Sequence, residues 1–239
     1  ALLKVIEERK KKLKEKGLFD EERKKSLPFL PQKIGVITSA SGSVIHDIIN
    51  RIKDRFPIDI ELWPVTVQGI EAANDIIQAI KGFNHEKYIL KPDIIIIARG
   101  GGSTEDLMPF NDEKLALEVF NSKIPIISAI GHETDTCIID FVSDVRASTP
   151  TAAAEKAVPV KIELEDTTSN LHKRLIKVFE KKLEINYFQL LNLSKFLKEP
   201  RIIFKTYNEK FNKFSNSLIK EFNLTYQSNV NNLNYFAKN

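Results

Sequence analysis

Apolar positions along this chain keep two different rhythms. Four short runs, Ile34–Thr38, Ile58–Pro64, Asp93–Ala98 and Ile124–Ile130, are rich in β-branched residues and apolar on both faces. The stretches between them, Val44–Arg55, Gly69–Phe83 and Asp112–Asn121, repeat their apolar residues at helical spacing. Strands buried on both sides, alternating with helices of about 10–15 residues, predict a doubly wound, mostly parallel α/β sheet of Rossmann-like architecture. We place this domain at residues 32–157.

The flanks differ. Residues 1–16 read as an amphipathic helix stopped by Gly17, and the prolines of LPFLP (27–31) hold the chain extended. Residues 1–31 are therefore a helical linker segment. Thr149 and Pro150 supply an N-cap and a first helical position for a helix closing the α/β domain. From Leu164 the apolar residues recur every three or four positions: Leu171, Leu175, Phe179, Leu183, Leu190, Leu197. Pro200 interrupts, and a second series follows through Phe204, Phe211, Leu218, Phe222 and Leu233. Residues 158–239 thus predict two long, coiled-coil-type α-helices. Their stripes are expected to bury against one another or against partner chains. The aromatics can also be read as a stacking platform for nucleic acid, but helical periodicity favours packing.

Composition narrows the class. Hydrophobic residues make up 42% of the chain and charged residues 28%, which excludes wholesale disorder. No apolar run approaches the roughly 20 residues that span a bilayer, so no membrane association is expected. The single cysteine, Cys137, excludes an internal disulfide and a cysteine-based zinc site. A reducing, cytoplasmic setting is the expectation. The chain opens on Ala1 and its one methionine is Met108, which predicts a piece of a longer protein.

Charge is unevenly spread. Residues 1–33 carry a balance of +5, residues 34–151 of −7 and residues 152–239 of +6. Basic flanks attract polyanions, though each flank alone reads equally as a solvated helix face. The acidic middle argues against a broad phosphate-binding surface. Any phosphate there must be held locally, by a few aimed groups.

Those groups cluster where ligands sit in such sheets, beyond the carboxyl ends of the strands. TSASGS (38–43) follows the first strand and offers Ser39, Ser41 and Gly42 at a helix N-terminus, a ready anion site or merely a capped turn. RGGGS (99–103) follows the third strand. Arg99 has the fork for two phosphate oxygens, and Gly100, Gly101, Gly102 and Ser103 make a loop whose N–H groups can approach a phosphoryl group. The structural alternative pairs Arg99 with Glu105 or Asp106. GHETD (131–135) follows the fourth strand; His132 is a candidate acid or base, and Asp135, three residues on, can orient its ring. Asp47, one turn into the first helix, is a further carboxylate facing this crevice, a partner that holds Arg99, or a solvated first-turn acid. Asp47, Asp135, Asp140 and Asp144 also admit a magnesium reading, but no pair has the spacing of a recognised metal motif. No metal site is therefore assigned.

Three segments carry a more specific signal. LPFLPQKIGVITSASGSVIHDII, ARGGGSTEDLMPFND and IPIISAIGHETDTCIIDFVSDVRASTPTAAAE, in this order and spacing, closely resemble the large subunit of bacterial exonuclease VII. The resemblance spans roughly residues 25–157. It implies an exodeoxyribonuclease that hydrolyses phosphodiester bonds of single-stranded DNA from both ends, releasing oligonucleotides. It also implies several copies of a small helical subunit, large-subunit self-association, and an OB-fold that residues 1–26 would join to the catalytic domain. Family functional residues correspond to Asp47, Arg99, His132 and Asp135. No cofactor is implied as required, with Mg²⁺ optional, and water attack and a covalent phosphohistidine both remain open. Two other classes stand beside this one. One is a nucleotide- or sugar-phosphate-binding transferase; the other is a non-catalytic helical assembly module.

Overall fold

Burial from both sides is what turns the isoleucine-rich runs into strands. In the computed structural model, which describes residues 2–85, 91–103, 105–130, 136–197 and 199–238, β1 (Lys33–Thr38), β2 (Asp59–Pro64), β3 (Ile94–Arg99), β4 (Ile126–Ile130) and β5 (Val145–Arg146) form one parallel sheet in the order β2-β1-β3-β4-β5. Every residue of β3 is buried. Alternation along it feeds two cores: Ile95 and Ile97 join one, and Ile94, Ile96 and Ala98 the other. The edge strand β2 is only half-buried.

Helices cover both faces. α2 (Ser43–Arg55) and α6 (Pro150–Ala157) pack on the side of Ile94 and Ile96; α3 (Ala72–Asn84), α4 (Glu113–Asn121) and α5 (Ile138–Val142) cover the other. Phe83 of α3 lies over Gly35 of β1, where a Cβ would stand 3.0 Å from the ring. Thr149 caps α6 as expected, its Oγ1 accepting from the amide of Ala152 at 3.1 Å. Two elements are too short for a periodic signal: α5 has five residues and β5 two.

The N-terminal helix α1 (Leu2–Glu15) does more than join segments. Leu13 is completely buried in the core on the α4 side. Arg9 Nη1 donates to the carbonyl of Asn111 at 2.9 Å, the Lys10 ammonium sits 3.8 Å above the Phe141 ring, and Lys12 and Lys16 both reach Glu113. Two lysines of the basic flank are thus paired with one acid of the middle segment, Glu113. Gly17 ends the helix with φ of +73°, a conformation that favours glycine.

Residues 1–169 and 170–239 form separate compact units. The C-terminal helices are α7 (Lys161–Phe196) and α8 (Pro200–Lys238), the latter opening on Pro200 at its first position. Their apolar stripes are not buried against one another: α7 has no buried residue, and Phe211, Phe214 and Phe222 of α8 remain 72%, 77% and 68% exposed. Helical spacing fixes which face is apolar; it does not supply the partner that covers it. Among the described residues, no helix is long and apolar enough to cross a membrane.

Candidate active site at the switch point of the sheet

The chain leaves β1 toward β2 on one side and returns to β3 on the other. Strand order therefore reverses between β1 and β3, and the loops beyond their carboxyl ends diverge to leave a crevice. A cavity of about 500 Å³ opens there, lined by Thr38, Ser39, Gly42, Ser43, Arg99 and Gly100, with the 65–68 segment as its far wall.

Arg99 dominates this cavity. It ends β3 and is 94% buried, being 6% exposed. Its Nη2 lies 3.4 Å from Asp106 Oδ2, while its Nη1 has no hydrogen-bond partner among the described residues. A buried guanidinium nitrogen without an acceptor is expensive, because the lost hydration is not replaced. An anion in the cavity would supply that acceptor. Opposite, α2 begins after Gly42, whose lack of a side chain leaves the first amides of the helix without a side-chain cap. Those amides and the helix dipole also favour an anion.

One of the three glycines, Gly102, has a specific geometric cause. An ideal Cβ on Gly102 would fall 2.1 Å from Arg99 Nη1 and 2.6 Å from its Cζ, so the guanidinium occupies the space of that side chain. On Gly100 a Cβ would meet only Val44 Cγ2 at 3.5 Å, an ordinary contact. Neither glycine needs positive φ.

Asp106 holds Arg99 from behind. Its Oδ2 accepts from the Ser103 amide at 3.1 Å and the Ser103 hydroxyl at 2.9 Å, and its own amide donates to Ser103 Oγ at 3.3 Å. The two hydrogen bonds from Ser103, then the charge of Arg99, hold the Asp106 carboxyl below the usual aspartate range. The donors of Ser103 thus serve a carboxylate rather than the cavity. Sequence reasoning had Asp106 only as a scaffold alternative. The Ser103-x-x-Asp106 spacing, which matches a reciprocal capping pattern, is the signal that marks it.

The other sequence-nominated groups distribute as follows. Ser39 and Gly42 line the cavity, and Ser41 lines a neighbouring one. Asp47 is exposed on α2 and forms no ion pair with Arg99 among the described residues. His132 and Asp135 lie outside the described residues. Ile130, the last described residue before that segment, is the register partner of Arg99. On its far side, α5 is anchored by Asp140.

Asp140 and Asp144 are both committed to the backbone scaffold. Asp140 accepts from Ser128 Oγ at 2.5 Å and from the Cys137 amide at 2.8 Å, bracketing the 129–136 stretch. Burial pushes its carboxyl above the usual range, opposed by those hydrogen bonds and by Arg146. Asp144 takes the amides of Lys25 and Ile126 at 2.7 and 2.8 Å. The buried Asn111 adds a cross-brace: its Nδ2 donates to Leu107 O at 3.2 Å and its Oδ1 accepts from the Ile138 amide at 2.9 Å. It ties the stretch after the glycine loop to the start of α5. Among the described residues no cluster of three His, Cys, Asp or Glu side chains could hold a metal ion.

A buried arginine nitrogen without a partner among the described residues and an uncapped helix start meet in one cavity at the sheet switch point, and comparison with known proteins supplies the context. The family model described as exonuclease VII, large subunit, matches residues 18–239. This chain belongs to the exonuclease VII large-subunit family. It is 47% identical over 229 residues to the exodeoxyribonuclease 7 large subunit of Bartonella tribocorum, covering 95% of this chain and 48% of that protein. It is 58% identical over 178 residues to the Bartonella henselae protein of the same name, covering 73% and 38%. With the Mesorhizobium japonicum relative it shares 56% over 189 residues, covering 76% and 36%. The chain spans about half the length or less of these curated relatives.

Proposed function

We propose that this chain is the catalytic part of an exodeoxyribonuclease that hydrolyses phosphodiester bonds of single-stranded DNA from both ends, releasing oligonucleotides. The carrying observation is Arg99, buried at the end of β3 with Nη1 unpartnered among the described residues, in the same cavity as the uncapped start of α2. A phosphodiester is the anion that satisfies both. In the family of this chain, the relatives' shared name supports the reaction.

In this reading the scissile phosphate sits between Arg99, the Gly100 and Gly101 amides and the first amides of α2. Charge gathering on the non-bridging oxygens is met by groups already in place, without reorganisation at the moment of reaction. His132 removes a proton from the attacking water or gives one to the leaving oxygen, with Asp135 holding its ring. Asp47, exposed on α2, is assigned the outer side of the crevice. No cofactor is required; Mg²⁺ acts at most as an option. The working assembly contains several copies of the exonuclease VII small subunit and more than one large subunit, in the cytoplasm.

The test is digestion of end-labelled linear single-stranded DNA in excess EDTA by the full-length large subunit with its small partner. Wild type should release oligonucleotides, and His132→Ala should bind the strand without cutting it. Release that needs added Mg²⁺ would overturn the metal-free mechanism. Near-normal turnover by His132→Ala would remove that residue from the chemistry. Binding without cleavage by wild type would leave an assembly module.

A further inference from the structure

A second cavity, of about 480 Å³, lies against the first. Ser39, Val65 and Thr66 line both, so the two share a wall. The far side of the second is built from Trp63, Asp75 and Gln78.

The indole is held in place on purpose-built backbone. Gly82 of α3 has no side chain where a Cβ would fall 2.0 Å from Trp63 Cη2. Phe83 meets the indole at 73° with centroids 5.2 Å apart. Trp63 nonetheless remains only half-buried, and it lines the cavity. Asp75 fixes the shared wall, its Oδ2 accepting from the hydroxyl and, at 3.4 Å, the amide of Thr66. Gln78 is exposed and forms no hydrogen bond among the described residues, which leaves its amide donors and carbonyl acceptor available.

The two cavities differ in charge. One holds the Arg99 guanidinium; the other holds the Asp75 carboxylate, which repels a phosphate. A neutral aromatic ring suits the second, with the indole beneath it and a rotatable amide at its edge. We propose that this second cavity receives the nucleobase attached to the phosphate that Arg99 holds. The proposal rests on the phosphate reading above. Because every base has a π-face and Gln78 can turn its amide, the subsite accepts all four bases.

The test uses the full-length chain and two probes, dTMP and 2-deoxyribose 5-phosphate, the same ligand without its base. Binding is followed by isothermal titration and by tryptophan emission, the Trp63 signal being the difference between wild type and Trp63→Phe. dTMP should bind about tenfold more tightly than the base-free probe and perturb Trp63 emission. Gln78→Ala, at an exposed position, should narrow that gap several-fold and leave 2-deoxyribose 5-phosphate unaffected; it carries the test even if Trp63→Phe fails to fold. Equal binding of the two probes with unchanged Trp63 emission overturns the subsite. A base-dependent affinity in a complex that cuts no DNA supports the subsite and defeats hydrolysis. Cleavage without base-dependent affinity does the reverse.

Discussion

The guanidinium of Arg99 lies where a side chain on Gly102 would stand, 2.1 Å from Nη1 to the ideal Cβ position. Gly102→Ala must therefore push the arginine from its cavity or shift the loop. We expect a loss of strand cleavage approaching that of removing Arg99 itself, roughly 10²–10³-fold, with little change in melting temperature. Gly100→Ala, which meets only Val44 at 3.5 Å, should retain activity within a few-fold. Equal activity of the two variants in a single-turnover assay would show that the guanidinium position is immaterial.

Asp106 should matter less than the arginine it holds. Asp106→Asn removes the charge beside Arg99 while leaving a carbonyl for one Ser103 donor. A fall in kcat of about tenfold is expected, smaller than for Arg99→Lys, which loses the planar fork. Steady-state rates on one oligonucleotide, with KM and kcat separated, rank the variants.

The α/β layers and the crevice were readable in the sequence because buried parallel strands leave an unmistakable apolar record, and the glycine- and serine-rich loops follow them directly. The core strand boundaries shift by only one or two residues, as with Ile124–Ile130 against Ile126–Ile130. The edge strand moves similarly, to Asp59–Pro64. What pattern could not convey is which groups face each other. Asp106 rather than Asp47 is the carboxylate against Arg99 because the 103–106 turn folds back on the strand end. The reason for Gly102 likewise needs the arginine rotamer. The sequence leaves a magnesium reading of Asp140 and Asp144 open without a metal spacing to support it; in the structure they are acceptors for the amides of Cys137, Lys25 and Ile126.

Asp140 should give the protein a measurable pH response. Its folded-state pKa is raised, chiefly by burial, so between the ordinary aspartate value and the raised one the folded chain keeps a proton that the unfolded chain has lost. Stability from this group is therefore fully present below the unfolded pKa and declines as pH rises through the folded one. Asp140→Asn abolishes that slope. The difference between the two denaturation-versus-pH curves should fall across this window and be flat above it. Asp106, whose pKa is lowered, slopes the opposite way and cancels in the difference.

Stability should track burial, not apolarity. Ile96 is fully buried in the middle of β3, and Ile96→Ala should lower unfolding free energy by about 2–5 kcal/mol through lost contacts and the cavity left behind. Ile70, 95% exposed, should change by less than about 0.5 kcal/mol on the same substitution. Urea denaturation of both variants checks the contrast.

The bare stripes of α7 and α8 carry a thermodynamic consequence. The first unit owns its core, so its midpoint of unfolding is a property of the chain alone. Helices of 36 and 39 residues whose leucines and phenylalanines this chain itself does not cover have no such internal reserve. Their persistence is set by mass action: dilution should melt them first, and every added equivalent of whatever shields them raises their midpoint logarithmically while leaving that of the sheet where it was.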